Sequence, residues 1–269
     1  MTRALTRIAS LLTVFLIIGC ATTGPGGKKS VILLSDEQEK SIGRQVAQEV
    51  EQTETILQDS LWQSYLTEVG QRIVAVSDRP DLGYQFRVIE SDQINAFAAP
   101  GGFIYFYTGI LKMMDDEAEL AAVMAHEISH VVGRHSVKTL QAAYGGIILI
   151  QLALGKESEE LAGQVAGTVL GLALTGYGRS NELEADEFGV YYMAKAGYNP
   201  NGAIEMFTKL AEAAGDQEPR GFFENLTASH PDTQERIRKI RAQIDSMDQS
   251  VRNLPNYRDR YQAMKNRLN

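Results

Sequence analysis

The pattern of apolar and polar positions in the first part of the chain predicts helices followed by a small sheet. Residues 35–76 are polar and amphipathic and begin with Ser35 and Gln38, which form a Ser-x-x-Gln capping box, so they predict two helices. Residues 84–89 and Phe103–Tyr107 are short β-branched or aromatic runs separated by a Pro-Gly-Gly turn, which predicts two strands. This part of the chain therefore predicts mixed α and β structure.

The second part of the chain predicts mostly helix. Asp116 and Glu119 form a capping pair at the start of a helix whose apolar stripe ends near Gly133. Residues 181–196 and 203–214 predict two further helices. The basic stretch after residue 231 is also helical in pattern. The whole chain thus predicts an α+β fold that is mostly helical, with a small sheet that has an antiparallel edge.

Two apolar segments, residues 145–154 and 161–174, lie between these helices and are separated by the charged residues 156–160. Each is shorter than the roughly 20 residues that a membrane-spanning helix needs. The sequence leaves three roles open for residues 145–177: a lid over a cleft, a wall of a substrate pocket, or a surface that leans on a membrane.

Composition narrows the class of partner. The 269 residues are 44% hydrophobic and 22% charged, which is typical of a soluble globular domain. The formal net charge of −8 at pH 7 argues against nucleic acid as a partner. The chain has one cysteine, so it cannot form an internal disulfide or a zinc site built from several thiolates.

That cysteine, Cys20, ends a segment with the layout of a signal peptide. Residues 1–7 carry two positive charges and residues 8–18 form an apolar run of about 11 residues, which is too short to span a bilayer. Residues 17–20 resemble a lipobox, so we expect a lipoprotein signal peptide over residues 1–19 and lipidation of Cys20. A transmembrane anchor and a signal peptide cleaved elsewhere nearby are the alternatives.

The residues after Cys20 help to predict the membrane to which the protein is attached. Residues 20–34 are rich in glycine and predict a flexible linker. Ala21 stands where an aspartate would be the retention signal for the inner membrane, which favours the outer membrane. We therefore expect a bacterial cell-envelope protein that is tethered by lipid and faces the periplasm.

The chemistry of the chain is concentrated in the sequence His126-Glu127-Ile128-Ser129-His130. In a helix His126 and His130 project from one face, so both rings can bind one metal ion while Glu127 holds the attacking water. A metzincin would place a third histidine six residues after His130, but that position is Ser136, and His135 falls one residue early. The third ligand must therefore lie elsewhere.

Two downstream carboxylates, Glu182 and Asp186, are candidates for completing the site. They lie four residues apart on one helix face, so Glu182 can ligate the metal while Asp186 accepts the free ring N–H of a ligating histidine. Glu184 lies about 200° around the helix and should point away. Spacing alone leaves open whether these acids are ligands or a charged, solvated helix face.

Seven stretches occur in a fixed order along residues 35–245: the His126–His130 motif and residues 95–102, 119–123, 134–135, 181–186, 229–231 and 236–237. Together they resemble the HtpX and CAAX prenyl endopeptidase group of gluzincin zinc metallopeptidases, especially its periplasmic lipoprotein branch with BepA-like catalytic domains. The resemblance implies a zincin-like metallopeptidase domain over residues 35–250 and a C-terminal helical tail over residues 251–269. It also implies one Zn²⁺ per chain, bound by His126, His130 and Glu182, with Glu127 as the catalytic base.

The resemblance further implies that an edge segment lines the cleft and pairs with the substrate backbone. This segment comprises Asn95, Ala96, Phe97 and Ala98. The alternative is that Phe97 belongs only to the core and Asn95 only to a turn.

Three other polar residues belong to the same set of motifs. The resemblance places His230 near the site, as a donor to the transition state or as a fourth ligand in a latent form, whereas a local cap before Pro231 is the alternative. Arg236 lies one helical turn further on and is expected to pair with a carboxylate there. His135 is expected to be structural.

The predicted activity is zinc-dependent hydrolysis of peptide bonds in misfolded or misassembled envelope proteins, by an enzyme tethered to the membrane through its lipid. Two alternatives remain. A holdase or assembly factor would bind client proteins through residues 145–177 with little proteolysis. A structural zinc protein would need a closed site with four protein ligands. The chain has no room for several tetratricopeptide repeats, so recognition through such repeats is not expected.

Overall fold

The computed structural model describes residues 25–27, 30–155, 159–215 and 233–268. Within these residues helices surround one three-stranded sheet, which confirms the mostly helical α+β fold. The strands are β1 (Gln85–Ile89), β2 (Ala96–Ala99) and β3 (Phe103–Tyr107). The α-helices, in chain order, are α1 (Asp36–Thr53), α2 (Ser60–Val74), α3 (Thr108–Met113), α4 (Glu117–Val132), α5 (His135–Tyr144), α6 (Gly146–Ala153), α7 (Glu159–Thr175), α8 (Arg179–Lys195), α9 (Asn201–Gly215), α10 (Thr233–Asp245), α11 (Gln249–Arg252) and α12 (Arg258–Lys265).

The sheet has the order β1-β3-β2 and mixed strand directions. β1 runs parallel to β3, whereas β2 runs antiparallel to it, with Ala98 opposite Ile104. The predicted antiparallel edge is therefore confirmed. Its strand, β2, was not among the two strands predicted from the pattern, because three of its four residues are alanine, which has a weak preference for strands.

The sheet separates two hydrophobic cores. Side chains alternate along each strand, so Phe86 and Phe106 face the larger core with α2 and α4, while Phe97 and Tyr105 face a second core on the opposite side. The second core is completed by α1, α6 and α7. The apolar segments predicted over residues 145–174 thus form helices that pack on α1, and α7 also contacts β2. Among the described residues no helix is both long and apolar enough to span a membrane.

Helix α4 is the centre of the larger core. All its residues are buried, and it contacts α2, α8, α9 and β2. The Asp116 carboxylate accepts a hydrogen bond of 3.1 Å from the Glu119 backbone N–H, as the capping pair predicted. The predicted capping box of α1 is also present, with Ser35 and Gln38 bonding reciprocally. These caps determine where the two helices begin.

Gly133 caps the end of helix α4, as predicted, but the left-handed residue is the next one, Arg134, with φ of 52°. Its buried guanidinium explains how an arginine adopts this conformation. The Nε atom lies 2.8 Å from the Glu39 carboxylate, and Nη2 donates to the Leu34 carbonyl at 2.7 Å. Arg79 also contacts Glu39, at 3.0 Å. This buried cluster joins α1 to the end of α4 and determines the direction in which α5 starts.

Two segments predicted to lie outside the peptidase domain contribute side chains to the hydrophobic cores. Within the predicted linker of residues 20–34, Ile32 and Leu34 are buried in the second core. Within the predicted C-terminal tail, Tyr261 of α12 is fully buried and donates a hydrogen bond of 2.6 Å to the Leu111 carbonyl. The predicted signal peptide and Cys20 lie outside the described residues.

The close contact between α1 and the turn after β2 can be tested by substitution. A Cβ atom at Gly43 would lie 2.0 Å from the Pro100 carbonyl oxygen, which is backbone and cannot move aside easily. We expect Gly43→Ala to lower the free energy of unfolding, measured in urea, by about 1–3 kcal/mol. Gly163→Ala is the matched control, because no atom lies within 4 Å of that position in α7. It should leave stability equal or slightly higher; equal effects of the two variants would contradict this packing.

Candidate active site

Three buried side chains from two helices converge at the centre of the molecule. His126 and His130 lie one turn apart on α4, and their Nε2 atoms are 3.0 Å from each other. Glu182 of α8 places its carboxylate oxygens 3.4 Å from His126 Nε2 and 3.6 Å from His130 Nε2. In the part of the chain that the structure describes, this is the one cluster whose donors are arranged to hold a metal ion.

The donor set fits zinc. Ligand atoms about 2.0–2.1 Å from a tetrahedral zinc ion lie about 3.3 Å from one another, close to the three separations seen here. The charges also fit, because Glu127, Glu182 and Asp186 are buried around one guanidinium, that of Arg236. Buried carboxylates in excess of cations are costly, and a divalent ion would balance them.

Asp186 and Arg236 lie directly behind the first histidine. The Asp186 carboxylate is 3.0 Å from His126 Nδ1, so it can orient that ring with Nε2 facing the cluster. Arg236 of α10 binds Asp186 through two bonds of 2.7 Å, and its guanidinium stacks over the Phe207 ring at 4.6 Å. Burial raises the pKa of Asp186, but Arg236 and His126 outweigh this and hold it below its usual value.

Glu127 is buried beside the cluster and faces the edge of the sheet. Burial raises the pKa of Glu127 to about 8, because His126 and Arg236 offset only part of the desolvation. The backbone amide of Ala98 also interacts with this carboxylate. Glu127 is thus positioned between the metal-ligand cluster and β2.

The predicted edge segment has two distinct faces. The Phe97 side chain is 2% exposed and stacks on Tyr105, with ring centroids 4.9 Å apart, so it belongs to the second core. Asn95 is also buried, and its carbonyl accepts from the Tyr107 N–H. Ala96 and Ala98 face the larger core. It is therefore the backbone of this segment, at Ala98, that faces the site.

Tyr177 is a residue at the site that sequence reasoning did not single out. Its ring centroid lies 4.5 Å from that of His130, its N–H donates to Glu182, and its hydroxyl donates to the Ala98 carbonyl at 3.0 Å. The signal in the sequence was its place between two glycines just before the helix that carries Glu182.

His135 and Glu184 also reach the site. His135 Nδ1 lies 2.7 Å from His130 Nδ1, and His135 Nε2 lies 3.1 Å from the Glu184 carboxylate. Glu184 is not part of the metal-ligand cluster, as its position around the helix predicts, but the start of α5 brings His135 into contact with it. His230 lies outside the described residues.

A mostly helical α+β domain with two histidines from one helix and a glutamate from a second is the architecture of the zincin-like metallopeptidases. Residues 60–244 match Peptidase family M48, and the chain belongs to that family. This confirms the expected relationship to BepA-like metallopeptidase domains.

Three relatives illustrate the range of similarity. The chain is 36% identical over 177 residues to the mitochondrial metalloendopeptidase OMA1 of Schizosaccharomyces pombe, covering 65% of this chain and 51% of the relative. It is 30% identical over 192 residues to the beta-barrel assembly-enhancing protease of Escherichia coli K12, covering 67% and 39%. It is 27% identical over 223 residues to metalloprotease YcaL of the same strain, covering 79% and 82%. The chain thus spans about half, or less, of the length of the first two.

The ion pair behind His126 has a predictable effect on stability. Asp186→Ala would leave the buried Arg236 guanidinium without its two-bond partner, so we expect the free energy of unfolding to fall by about 3–5 kcal/mol. The measurement is urea unfolding in excess EDTA, which removes any contribution from metal binding. Glu68→Ala, which removes the exposed partner of Arg260, should have a far smaller effect. Similar losses in the free energy of unfolding would contradict the prediction that the buried pair contributes more than an exposed one.

Proposed function

We propose that the chain is a zinc-dependent metalloendopeptidase of the gluzincin type. The observation that carries the proposal is the convergence of the His126, His130 and Glu182 donor atoms in a buried site beside Glu127. One zinc ion per chain would be held by these three residues. A site with three protein ligands leaves a position for water or substrate, as catalytic zinc sites require.

The residues around the cluster have separable roles in hydrolysis. Zinc, when bound, supplies a Lewis acid that polarises the scissile carbonyl and makes water easier to deprotonate. Glu127 takes the proton of the attacking water and passes it to the leaving amine. Asp186 holds the Nδ1 proton of His126, and Arg236 holds Asp186 in place. No covalent intermediate with the protein is needed.

We also propose that Asn95, Ala96, Phe97 and Ala98 bind substrate through their backbone. β2 is an edge strand, and its Ala98 amide and carbonyl face Glu127 and Tyr177, respectively. An extended peptide that pairs with this edge would lie across the metal-ligand cluster. His230, proposed from the sequence, would act as a donor to the transition state or as a fourth ligand in a latent form.

The proposed substrates are misfolded or misassembled proteins of the bacterial envelope. The support is the similarity to a protease named for enhancing beta-barrel assembly, together with the lipobox-like residues 17–20. Lipidated at Cys20, the protein would face the periplasm from the outer membrane, tethered to the same compartment as such substrates.

Substitution of Glu127 tests the catalytic proposal. Glu127→Gln keeps the size of the side chain but cannot accept the proton, so we expect the protein to bind zinc normally and lose at least about 100-fold in kcat on an unfolded protein substrate. Zinc content is measured on the same preparation. Cleavage at the parent rate would contradict the role of Glu127 as base.

Glu182→Ala provides the contrast, since it removes a ligand and leaves the base in place. We expect this variant to lose zinc affinity, with activity falling in parallel. A Glu182→Ala protein that retained stoichiometric zinc after dialysis would show that the metal is held elsewhere.

The lipid tether has a separate test. Cys20→Ser removes the acceptor thiol, so we expect the expressed protein to move from the membrane fraction to the soluble envelope fraction and to lose labelling by a fatty-acid analogue. The Glu127→Gln protein is the control, because it retains Cys20. Membrane association and labelling of the Cys20→Ser protein would rule out lipidation at this residue.

A further inference from the structure

A continuous row of polar contacts extends from the second metal-ligand candidate to a carboxylate on another helix. His130 Nδ1 and His135 Nδ1 are 2.7 Å apart, and His135 Nε2 lies 3.1 Å from the Glu184 carboxylate. His135 is fully buried, and 12% of the Glu184 side chain is exposed. The row therefore runs from the centre of the molecule almost to its surface.

The proton positions in this row follow from the ligand role of His130. If Nε2 of His130 binds the metal, its Nδ1 carries the proton and donates it to the facing nitrogen. His135 Nδ1 must then be the acceptor, so the proton of a neutral His135 lies on Nε2, which donates to Glu184. Each of the two contacts in the row then has one donor and one acceptor.

We propose that His135 and Glu184 are positioning residues that hold the ring and tautomer of His130 for metal binding. The proposal rests on the proposed function, because it assigns the metal to His130 Nε2. Under this proposal, a carboxylate on α8 orients each of the two metal-binding histidines. Asp186 contacts His126 directly, whereas Glu184 acts on His130 through His135.

The local fold explains why an intermediate histidine is used. Glu184 lies on a different side of α8 from Glu182, so it cannot face the metal-ligand cluster itself. The left-handed Arg134 is the N-cap of α5 and directly follows Gly133, the C-cap of α4, which directs His135 back toward His130. Gly133 leaves space for the ring, since a Cβ atom there would lie 2.4 Å from His135 Nε2. Tyr177 packs against the rings of both histidines.

The experiment compares zinc dissociation constants, obtained by competition with a chelator, for the full chain and four variants. His135→Leu fills the space but removes both polar contacts, and we expect zinc to bind about 10–100-fold more weakly. His135→Gln can accept from His130 and donate to Glu184, so it should restore most of the affinity. Glu184→Ala should weaken zinc binding less than His135→Leu, while Glu187→Ala, at an exposed position on the same helix, should change nothing.

Two further readouts separate positioning from packing. The absorption spectrum of the cobalt-substituted protein should change in His135→Leu and return toward that of the parent in His135→Gln, whereas the melting temperature of the metal-free protein should not follow this order. Unchanged zinc affinity in both His135→Leu and Glu184→Ala would overturn the proposal. Equal weakening in His135→Leu and His135→Gln would also overturn it, since only packing would then matter.

The zinc measurements also distinguish failure of the positioning role from failure of the proposed function on which it rests. If the parent chain binds no zinc, the proposed function fails and the positioning role fails with it. If the parent binds one zinc ion and the His135→Leu protein binds it equally well, only the positioning role fails. Should His135→Leu not fold, the comparison of Glu184→Ala with Glu187→Ala decides the question.

Discussion

Buried charge at the centre of the molecule is the constraint on which the surrounding structure depends. Helix α4 has no exposed residue, yet it carries His126, Glu127 and His130. Ionisable groups without water need partners. The partners come from α8, which contributes Glu182 and further acids, and from α5 and α10, which contribute a histidine and an arginine. The helices around α4 are therefore arranged by electrostatic pairing as well as by apolar packing.

The small sheet places an edge strand beside this buried polar cluster. Because its two faces are covered by separate cores, its position is held from both sides, and β2 is presented beside Glu127. The apolar helices α6 and α7 belong to the second core, where both pack on α1 and α7 also contacts the edge strand β2. Ile147 and Leu154 of this region are nevertheless exposed.

Local signals predicted the parts of the fold that depend on local physics. The Asp116 and Ser35 caps, the helical periods and the spacing of His126 and His130 are short-range features, and each was found where expected. Glu182 was ambiguous from spacing, because a helix with several acids fits both a solvated face and a ligand. Family resemblance, rather than periodicity, favoured the ligand.

What the sequence did not predict depends on contacts between distant segments. The position of His135 follows from a left-handed arginine stabilised by Glu39, which lies 95 residues earlier in the chain. The role of Glu184 depends on its contact with His135, whose Nε2 lies 3.1 Å from the Glu184 carboxylate at the start of α5. β2 is too short and too rich in alanine to show a period of two. Tyr177 acquires its place because α7, which ends two residues before it, contacts β2.

The hydrogen bond from the Tyr177 hydroxyl to the Ala98 carbonyl affects the edge strand when no peptide is bound. An unpaired strand edge invites association with other strands, including those of aggregating proteins. Here one backbone acceptor is already satisfied by a side chain of the same molecule. A peptide that pairs at this position exchanges one hydrogen bond for another, so the pairing adds little net affinity there. Retention of a peptide on β2 must then depend on its neighbouring backbone contacts and side chains.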